Sequence, residues 1–217
     1  MRPYIIFDFD GTLVGSKALA IHIFNQLGAK YGGRSISDEE IPALSNMSIP
    51  DRLKVLNIPA YKLPALLIEG KKEYKKEIVN LEPVRGTREI LIELKELGYS
   101  LGILSSNTTE NIHKFIAVHQ LDFFDYIHSA TNLFGKHKAI ASMTKKLGIT
   151  TNDILYIGDE LRDIQACKKI NAKVIAVTWG FDSPDLLAKS SPDLICHTPE
   201  ELLRLVTQTM PCRIKSI

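Results

Sequence analysis

The sequence contains little cysteine, with three residues in 217 and no pair spaced as in a zinc site or a redox motif. Cys167, Cys196 and Cys212 are scattered along the chain, which favours free thiols in a reducing compartment. The six histidines also lack the spacing of metal ligands. A metal bound by this chain is therefore expected to use oxygen ligands.

Long apolar runs and a strong net charge are also missing. No apolar stretch approaches the roughly 20 residues that a membrane-spanning helix needs, and the first predicted strand starts too early for a signal peptide. The formal net charge of +2 is too small to indicate a nucleic acid or a membrane surface as partner. We expect a cytoplasmic protein, and the oligomeric state stays open.

Short apolar strands and amphipathic helices alternate along most of the chain. The predicted strands lie at 4–7, 100–104, 126–129, 153–157, 173–178 and 193–196. Repeated strand–helix units form parallel sheets with helices on both faces. The sequence therefore predicts an α/β fold with a doubly wound parallel sheet.

Residues 15–82 follow a different pattern, because every apolar periodicity there is helical. Predicted helices cover 18–31, 37–44, 49–56 and 63–79, and prolines 42, 50, 59 and 64 separate or start them. We interpret this block as a small all-α cap inserted into an α/β core. The core would comprise residues 1–14 and 83–217.

Polar side chains follow the predicted strands at the edge of the sheet where ligands bind in such folds. They are Asp8, Asp10, Ser105, Lys136, Asp159 and Asp163. Crowded carboxylates repel one another by about 4 kcal/mol per pair at 4 Å unless a cation joins them. An all-oxygen set suits Mg²⁺, and a hydroxyl, backbone N–H groups and an amine suit a phosphate.

Four segments resemble the motifs of haloacid dehalogenase-superfamily phosphohydrolases, and they occur in the family's order. They are Asp8-Phe9-Asp10-Gly11-Thr12-Leu13-Val14, the strand ending in Ser105, Lys136 before a helix, and Gly158-Asp159-Glu160-Leu161-Arg162-Asp163. Residues 177–181 and 193–203 resemble the phosphoglycolate phosphatase-like branch. The resemblance spans the chain and implies a Rossmann-like core with a C1-type helical cap.

The resemblance implies a role for each motif residue. Asp8 would attack phosphorus to form an aspartyl-phosphate, and Asp10 would act as general acid and then as general base. Asp8, the backbone carbonyl of Asp10, Asp159 and Asp163 would hold Mg²⁺. Ser105, Ser106 and Lys136 would hold the phosphoryl group.

Several neighbouring residues compete for these roles. Ser106 and Asn107 are alternatives to Ser105, Lys138 is an alternative to Lys136, and Glu160 is an alternative to either neighbouring aspartate. The cap arginines Arg34 and Arg52 are candidates for contact with a substrate carboxylate. The mixed charges of residues 71–77 indicate a solvated helix face.

These observations predict a Mg²⁺-dependent phosphatase that hydrolyses a small phosphorylated metabolite resembling phosphoglycolate. A sugar phosphomutase of the β-phosphoglucomutase type is the nearest alternative, and a non-catalytic binding protein of the same fold is another. Gly15 stands where many capped relatives have an acid, which leaves the cap hinge open. The identity of the ester stays open as well.

Overall fold

The computed structural model describes residues 3–130 and 135–212, and a parallel sheet forms its centre. The strands are β1 (Tyr4–Phe7), β2 (Ser100–Ser105), β3 (Tyr126–Ser129), β4 (Ile154–Gly158), β5 (Lys173–Val177) and β6 (Leu194–Cys196). They are all parallel and follow the order β3-β2-β1-β4-β5-β6. The predicted doubly wound α/β fold is confirmed.

Ten α-helices accompany the described strands. They are α1 (Lys17–Leu27), α2 (Ile41–Ser45), α3 (Ile49–Val55), α4 (Leu63–Glu77), α5 (Thr87–Glu96), α6 (Thr109–His119), α7 (Lys136–Leu147), α8 (Leu161–Lys169), α9 (Pro184–Lys189) and α10 (Pro199–Thr209). None of these helices is both long and apolar enough to cross a bilayer.

Apolar side chains alternate along the strands and so build a core on each face of the sheet. Ile5 and Phe7 of β1 point to one face, where they join buried residues of α5, α6 and α10. Ile6 and Tyr156 point to the other face and join buried residues of α7, α8 and α9. The sheet is therefore covered on both sides, as a parallel sheet requires.

The strand order changes direction between β1 and β4. In folds of this order, the crevice at the carboxyl ends of those strands is where ligands bind. Phe7, the last residue of β1, pairs with Ile103 and with Ile157. Asp8 therefore emerges level with the ends of both neighbouring strands.

The segment between β1 and α5 is helical throughout and has its own apolar cluster. Tyr31, Leu44, Leu56, Ile58 and Leu66 are buried in it. A proline occupies the first turn of each of α2, α3 and α4, where its missing N–H costs nothing. The predicted helix at 18–31 is instead α1 followed by a short 3-10 turn.

The two ends of this helical segment lie side by side. The N–H of Gly15 donates to the carbonyl of Glu82 at 3.1 Å, and the N–H of Val84 donates to the carbonyl of Leu13 at 2.9 Å. Val14 and Pro83 form an isolated antiparallel bridge. Entry to the segment and exit from it are thus joined by backbone hydrogen bonds.

Candidate active site

Asp8 and Asp10 belong to a tight turn that follows β1. Gly11 has a φ of +79°, and a Cβ atom at this position would lie 2.2 Å from an oxygen of Asp159. Only glycine fits such a conformation and such a close approach. Asp8 is 1% exposed, and its Oδ1 accepts a hydrogen bond from the N–H of Phe9 at 2.8 Å.

Lys136, the first residue of α7, neutralises part of the negative charge in the crevice. Its Nζ lies 2.7 Å from Oδ2 of Asp8 and also donates to Oδ1 of Asp163. Burial by itself would lower the pKa of Lys136, but the charges of Asp163 and Asp8 outweigh that effect and raise the pKa. Lys136 is therefore a buried ammonium group, whereas Lys138 is exposed.

Asp159 and Asp163 flank the turn between β4 and α8. The hydroxyl of Thr12 donates to Asp159 at 2.7 Å, and the N–H of Phe181 donates to it at 2.8 Å. Asp163 accepts a hydrogen bond from the N–H of Glu160 at 3.2 Å, which caps α8. Burial, and then the charges of Glu160, Asp8 and Asp163, raise the pKa of Asp159 well above its ordinary range.

One group of carboxylates in the described residues lies close enough to hold a cation. Oxygens of Asp8, Glu160 and Asp163 all lie within 4.8 Å of one another, and all three residues are buried. Hard oxygen donors of this kind fit Mg²⁺. Glu160, which the sequence analysis gave as an alternative to the neighbouring aspartates, is thus part of the cluster. It also pairs with Arg162.

Ser105, Ser106 and Asn107, at the end of β2, make different contacts, which the sequence left open. Ser105 is 1% exposed, and its hydroxyl accepts a hydrogen bond from the N–H of Asn107 at 3.0 Å. The side-chain amide of Asn107 donates to Oδ2 of Asp10, also at 3.0 Å. Ser106 is partly exposed between them. Asn107 is therefore the residue of the three that hydrogen-bonds Asp10.

Tyr74 of α4 reaches the same aspartate from the helical segment. Its hydroxyl donates to Oδ1 of Asp10. The prediction of a solvated face for residues 71–77 is wrong at this position, because Tyr74 turns inward while Lys75 and Lys76 remain exposed. Tyr74 lies eight residues after Leu66 and four residues before Ile78, both buried, and this spacing indicates its orientation.

Asp10 is held between these two donors. Burial raises its pKa, and the charge of Asp8 acts in the same direction. Hydrogen bonds from Tyr74 and Asn107 favour the carboxylate and oppose that rise. Opposing effects therefore act on the pKa of Asp10, and burial is the largest of them.

The two arginines considered for ligand contact lie in different places. Arg34 pairs with Glu40 on the surface of the helical segment. Arg52 donates to the carbonyl of Leu44 at 2.7 Å and pairs with the buried carboxylate of Asp182. Arg52 therefore joins the helical segment to the core beside the crevice.

Comparisons with known proteins give one family and a consistent set of relatives. The profile described as "Haloacid dehalogenase-like hydrolase" matches residues 5–177. Phosphoglycolate phosphatase from Synechococcus elongatus is 30% identical over 207 residues, covering 95% of this chain and 98% of that protein. Pyrophosphatase PpaX from Listeria monocytogenes is 27% identical over 209 residues, covering 93% and 95%.

Solved structures agree with the fold. The crystal structure of a predicted phosphatase from Clostridium acetobutylicum matches with a TM-score of 0.81 and 22% identity. The match covers 96% of this chain and 99% of that one. At this identity, the likeness supports the architecture and says nothing further about chemistry.

Proposed function

This chain belongs to the haloacid dehalogenase-like hydrolase family, and we propose that it is a Mg²⁺-dependent phosphatase of small phosphorylated metabolites. The observation that carries the proposal is the buried carboxylate of Asp8 with the ammonium group of Lys136 at 2.7 Å. A carboxylate that attacks a phosphate must overcome the repulsion between two anions. A buried cation beside the nucleophile offsets that repulsion.

In the proposed reaction, an oxygen of Asp8 attacks phosphorus and forms an aspartyl-phosphate. The N–H of Phe9 and the ammonium group of Lys136 each hold one oxygen of this carboxylate, so its orientation is set before substrate binds. Such preorganisation reduces the entropic part of the barrier. Lys136, Ser105 and Ser106 would bind the oxygens of the transferred phosphoryl group.

Asp10 would carry out the proton transfers of the reaction. As the substrate bond breaks, Asp10 gives a proton to the leaving oxygen, and it then takes one from the water that hydrolyses the aspartyl-phosphate. The raised pKa of Asp10 supports both steps. It favours the protonated form that the general acid needs, and it makes the carboxylate a stronger base afterwards. Asn107 and Tyr74 would orient its two oxygens.

Mg²⁺ would be held by Asp8, Asp163 and the backbone carbonyl of Asp10, with Asp159 or Glu160 completing the site. Asp159 already accepts hydrogen bonds from Thr12 and Phe181, whereas Glu160 belongs to the oxygen cluster. These contacts favour Glu160 as the additional Mg²⁺ ligand. The bound ion would supply neutralisation of the charge that develops on the phosphoryl group.

We also propose that residues 15–82 act as a cap over a core formed by residues 1–14 and 83–217. The paired backbone at Gly15 and Glu82 supports a boundary there. Contacts from Tyr74 to Asp10 and from Arg52 to Asp182 support closure over the crevice. A closed cap excludes water during chemistry and limits the substrate to small esters.

Phosphoglycolate is the proposed substrate. The relatives named phosphoglycolate phosphatase and pyrophosphatase support a small phosphorylated compound. Free thiols at Cys167, Cys196 and Cys212 support a reducing compartment, and we propose the cytoplasm.

Replacement of the nucleophile tests the function. In Asp8→Asn, phosphate release from 2-phosphoglycolate with Mg²⁺ should fall by about 10³-fold or more, because an amide cannot attack phosphorus. The variant keeps the shape of the side chain, and circular dichroism checks its fold. Asp38→Asn, on an exposed turn, is the matched control and should retain full activity.

Three outcomes would overturn the proposal. Full activity in Asp8→Asn would exclude the proposed nucleophile. Conversion of a sugar phosphate to its isomer without release of phosphate would establish the phosphomutase alternative. Failure of the wild-type protein to act on any phosphate ester would favour a non-catalytic binding protein.

A further inference from the structure

A cavity of about 80 Å³ lies between the helical segment and the core. Its walls come from α1, from the region of α2 and α3, and from Phe181 in the loop after β5. Most of the lining is aliphatic, but the side chains of Lys17 and Arg52 also reach it. An apolar pocket with a few convergent polar groups is the usual form of a small-ligand site.

The two cations differ in how far the protein already compensates their charge. Arg52 pairs with the buried carboxylate of Asp182 and also donates to the carbonyl of Leu44. Lys17 donates to the carbonyl of Gly180 at 3.1 Å. Within the described part of the chain, Lys17 has no carboxylate within the 4.0 Å of an ion pair.

Lys17 is therefore the cation that is available to a ligand. Burial, and then the positive charge of Arg52, lower the pKa of Lys17, and the charges of Asp159 and Asp182 oppose that change without reversing it. The net effect disfavours its ammonium form when the cavity holds no anion. An anion beside Nζ would favour that form, so the ligand and the charge would stabilise each other.

The loop at Gly180 and Phe181 lies between this cavity and the acidic crevice. The N–H of Phe181 donates to Asp159 at 2.8 Å, while Phe181 also lines the cavity. Gly180 packs so closely on Asp159 that a Cβ atom there would lie 2.1 Å from its Oδ2. Lys17, which donates to the carbonyl of Gly180, is also near enough to Asp159 for their charges to interact, so a group bound against Lys17 would lie beside the loop that holds Asp159.

We propose that this cavity binds the leaving group of the substrate, and that the leaving group is short and carries a second anion that pairs with Lys17. The inference rests on the proposed phosphatase function. A water-sized group needs about 10–15 Å³ of such volume, so the cavity admits about five to eight non-hydrogen atoms. A sugar ring with its substituents exceeds that size.

Two sources of this chemistry fit the cavity. The second anion is a carboxylate if the leaving group is a two-carbon hydroxy acid. It is a phosphate if the substrate is pyrophosphate. In both cases, the leaving group has to remain small and negatively charged, and an uncharged alcohol gains nothing from Lys17.

The variant Lys17→Met removes the charge and keeps the length of the apolar stem. Rates with Mg²⁺ are measured on 2-phosphoglycolate, inorganic pyrophosphate and glycerol 2-phosphate, whose leaving alcohol is uncharged. We expect wild-type protein to prefer one of the two anionic substrates. For that substrate, Lys17→Met should raise KM by about 10–100-fold. For glycerol 2-phosphate, the KM of the variant should stay within about twofold of the wild-type value.

Two further variants separate charge from packing. Lys17→Arg restores a cation and should recover most of the lost affinity. Lys30→Met makes the same substitution at an exposed lysine of the helical segment and should leave all three substrates unchanged. The anionic substrate that Lys17→Met impairs most identifies the source of the second anion.

Equal losses on all three substrates, no loss on any, or a wild-type preference for glycerol 2-phosphate would each overturn the inference. Titration calorimetry with glycolate and with inorganic phosphate measures anion binding without turnover. If the wild-type protein is active but Lys17→Met binds these anions as tightly as wild type does, the role of Lys17 is refuted and the proposed function is not. Absence of phosphate release from every ester refutes the proposed function, and the inference then fails with it.

Discussion

The ion pairs of the crevice and those on the helical segment differ in burial rather than in chemistry. In the crevice, the side chains of Lys136, Asp8 and Asp163 are 3%, 2% and 0% exposed. On the helical segment, those of Lys30 and Glu69 are 62% and 31% exposed. Water screens the outer pair, so that losing one partner costs little. In the crevice, losing one partner leaves the opposite charge buried without its countercharge, and water does not replace it.

The largest effect is expected when the central cation is removed. Lys136→Met leaves Asp8 and Asp163 buried without their countercharge, and breaking a buried pair in this way costs about 3–5 kcal/mol of the free energy of unfolding. Urea denaturation measures the change. Lys30→Met, the same substitution on the surface, should leave the urea midpoint unchanged.

Equal shifts of the urea midpoint in these two variants would remove the distinction between the regions. Added Mg²⁺ sharpens the test. Because a bound cation replaces part of the lost charge, it should recover some stability in Lys136→Met and none in Lys30→Met.

A second effect concerns pH. Burial raises the pKa of Asp163 to about 7, against the charge of Lys136, and raises that of Asp159 well above its usual range. An acid with a raised native-state pKa binds more protons when folded than when unfolded. Its contribution to stability therefore falls as pH rises from about 4 toward the native value. On the proposed function, Mg²⁺ would take the place of those protons.

The stabilisation by Mg²⁺ should consequently grow over the same pH range. With Mg²⁺ at about 100 times its Kd, stabilisation is about 2.7 kcal/mol, and Tm should rise by about 5–10 °C near pH 7.5. Near pH 5, we expect less than half of that rise. Thermal denaturation with Mg²⁺ and with chelator measures both values.

Substitution of a carboxylate in each region supplies the control for this prediction. Asp163→Asn should reduce the effect of Mg²⁺ on Tm, whereas Glu69→Gln should not change it. An effect of Mg²⁺ that is the same at both pH values would show that cation and protons do not compete in the crevice.

The smallest effect is expected where the two regions meet. Tyr74→Phe removes the hydroxyl that donates to Asp10 but leaves the hydrogen bond from Asn107. We expect kcat to fall by about 3–10-fold, because one oxygen of the proposed general acid loses its orientation. Steady-state kinetics on 2-phosphoglycolate measures it.

Tyr61→Phe is the matched control, because Tyr61 is 79% exposed on the same helical segment. It should have wild-type kinetics. A value of kcat in Tyr74→Phe that equals or exceeds that of wild type would mean that the helical segment does not support Asp10.

Much of the core could be predicted because its patterns are local. Apolar runs of four to six residues predicted each strand to within about a residue, and the turn residues after them predicted where polar groups gather. The choice among Ser105, Ser106 and Asn107, and that between Lys136 and Lys138, required the three-dimensional structure. Only the structure shows that Asn107 contacts Asp10 and that Lys136, and not Lys138, is buried between two acids.

The helical segment was harder to predict from sequence, since a helix can present any of its faces to the core. Tyr74 lies in a run of charged residues, and its inward orientation depends on how α4 packs over the crevice. The same holds for Lys17, whose cavity exists only because α1 lies above the loop at Gly180. The spacing of Tyr74 from Leu66 and Ile78 indicates which face it lies on, but the distant residues that Tyr74 and Lys17 contact leave no local sequence pattern.

By itself, the sequence determined the parallel α/β sheet, the helical character of residues 15–82 and the set of acids at the sheet edge. Short-range propensity and periodicity encode all three. Only the tertiary structure decided which acids lie close enough to hold a cation, which lysine pairs with them and which side chains of residues 15–82 reach the crevice. Those relations join residues far apart in the chain, and burial, rather than residue type, sets their strength.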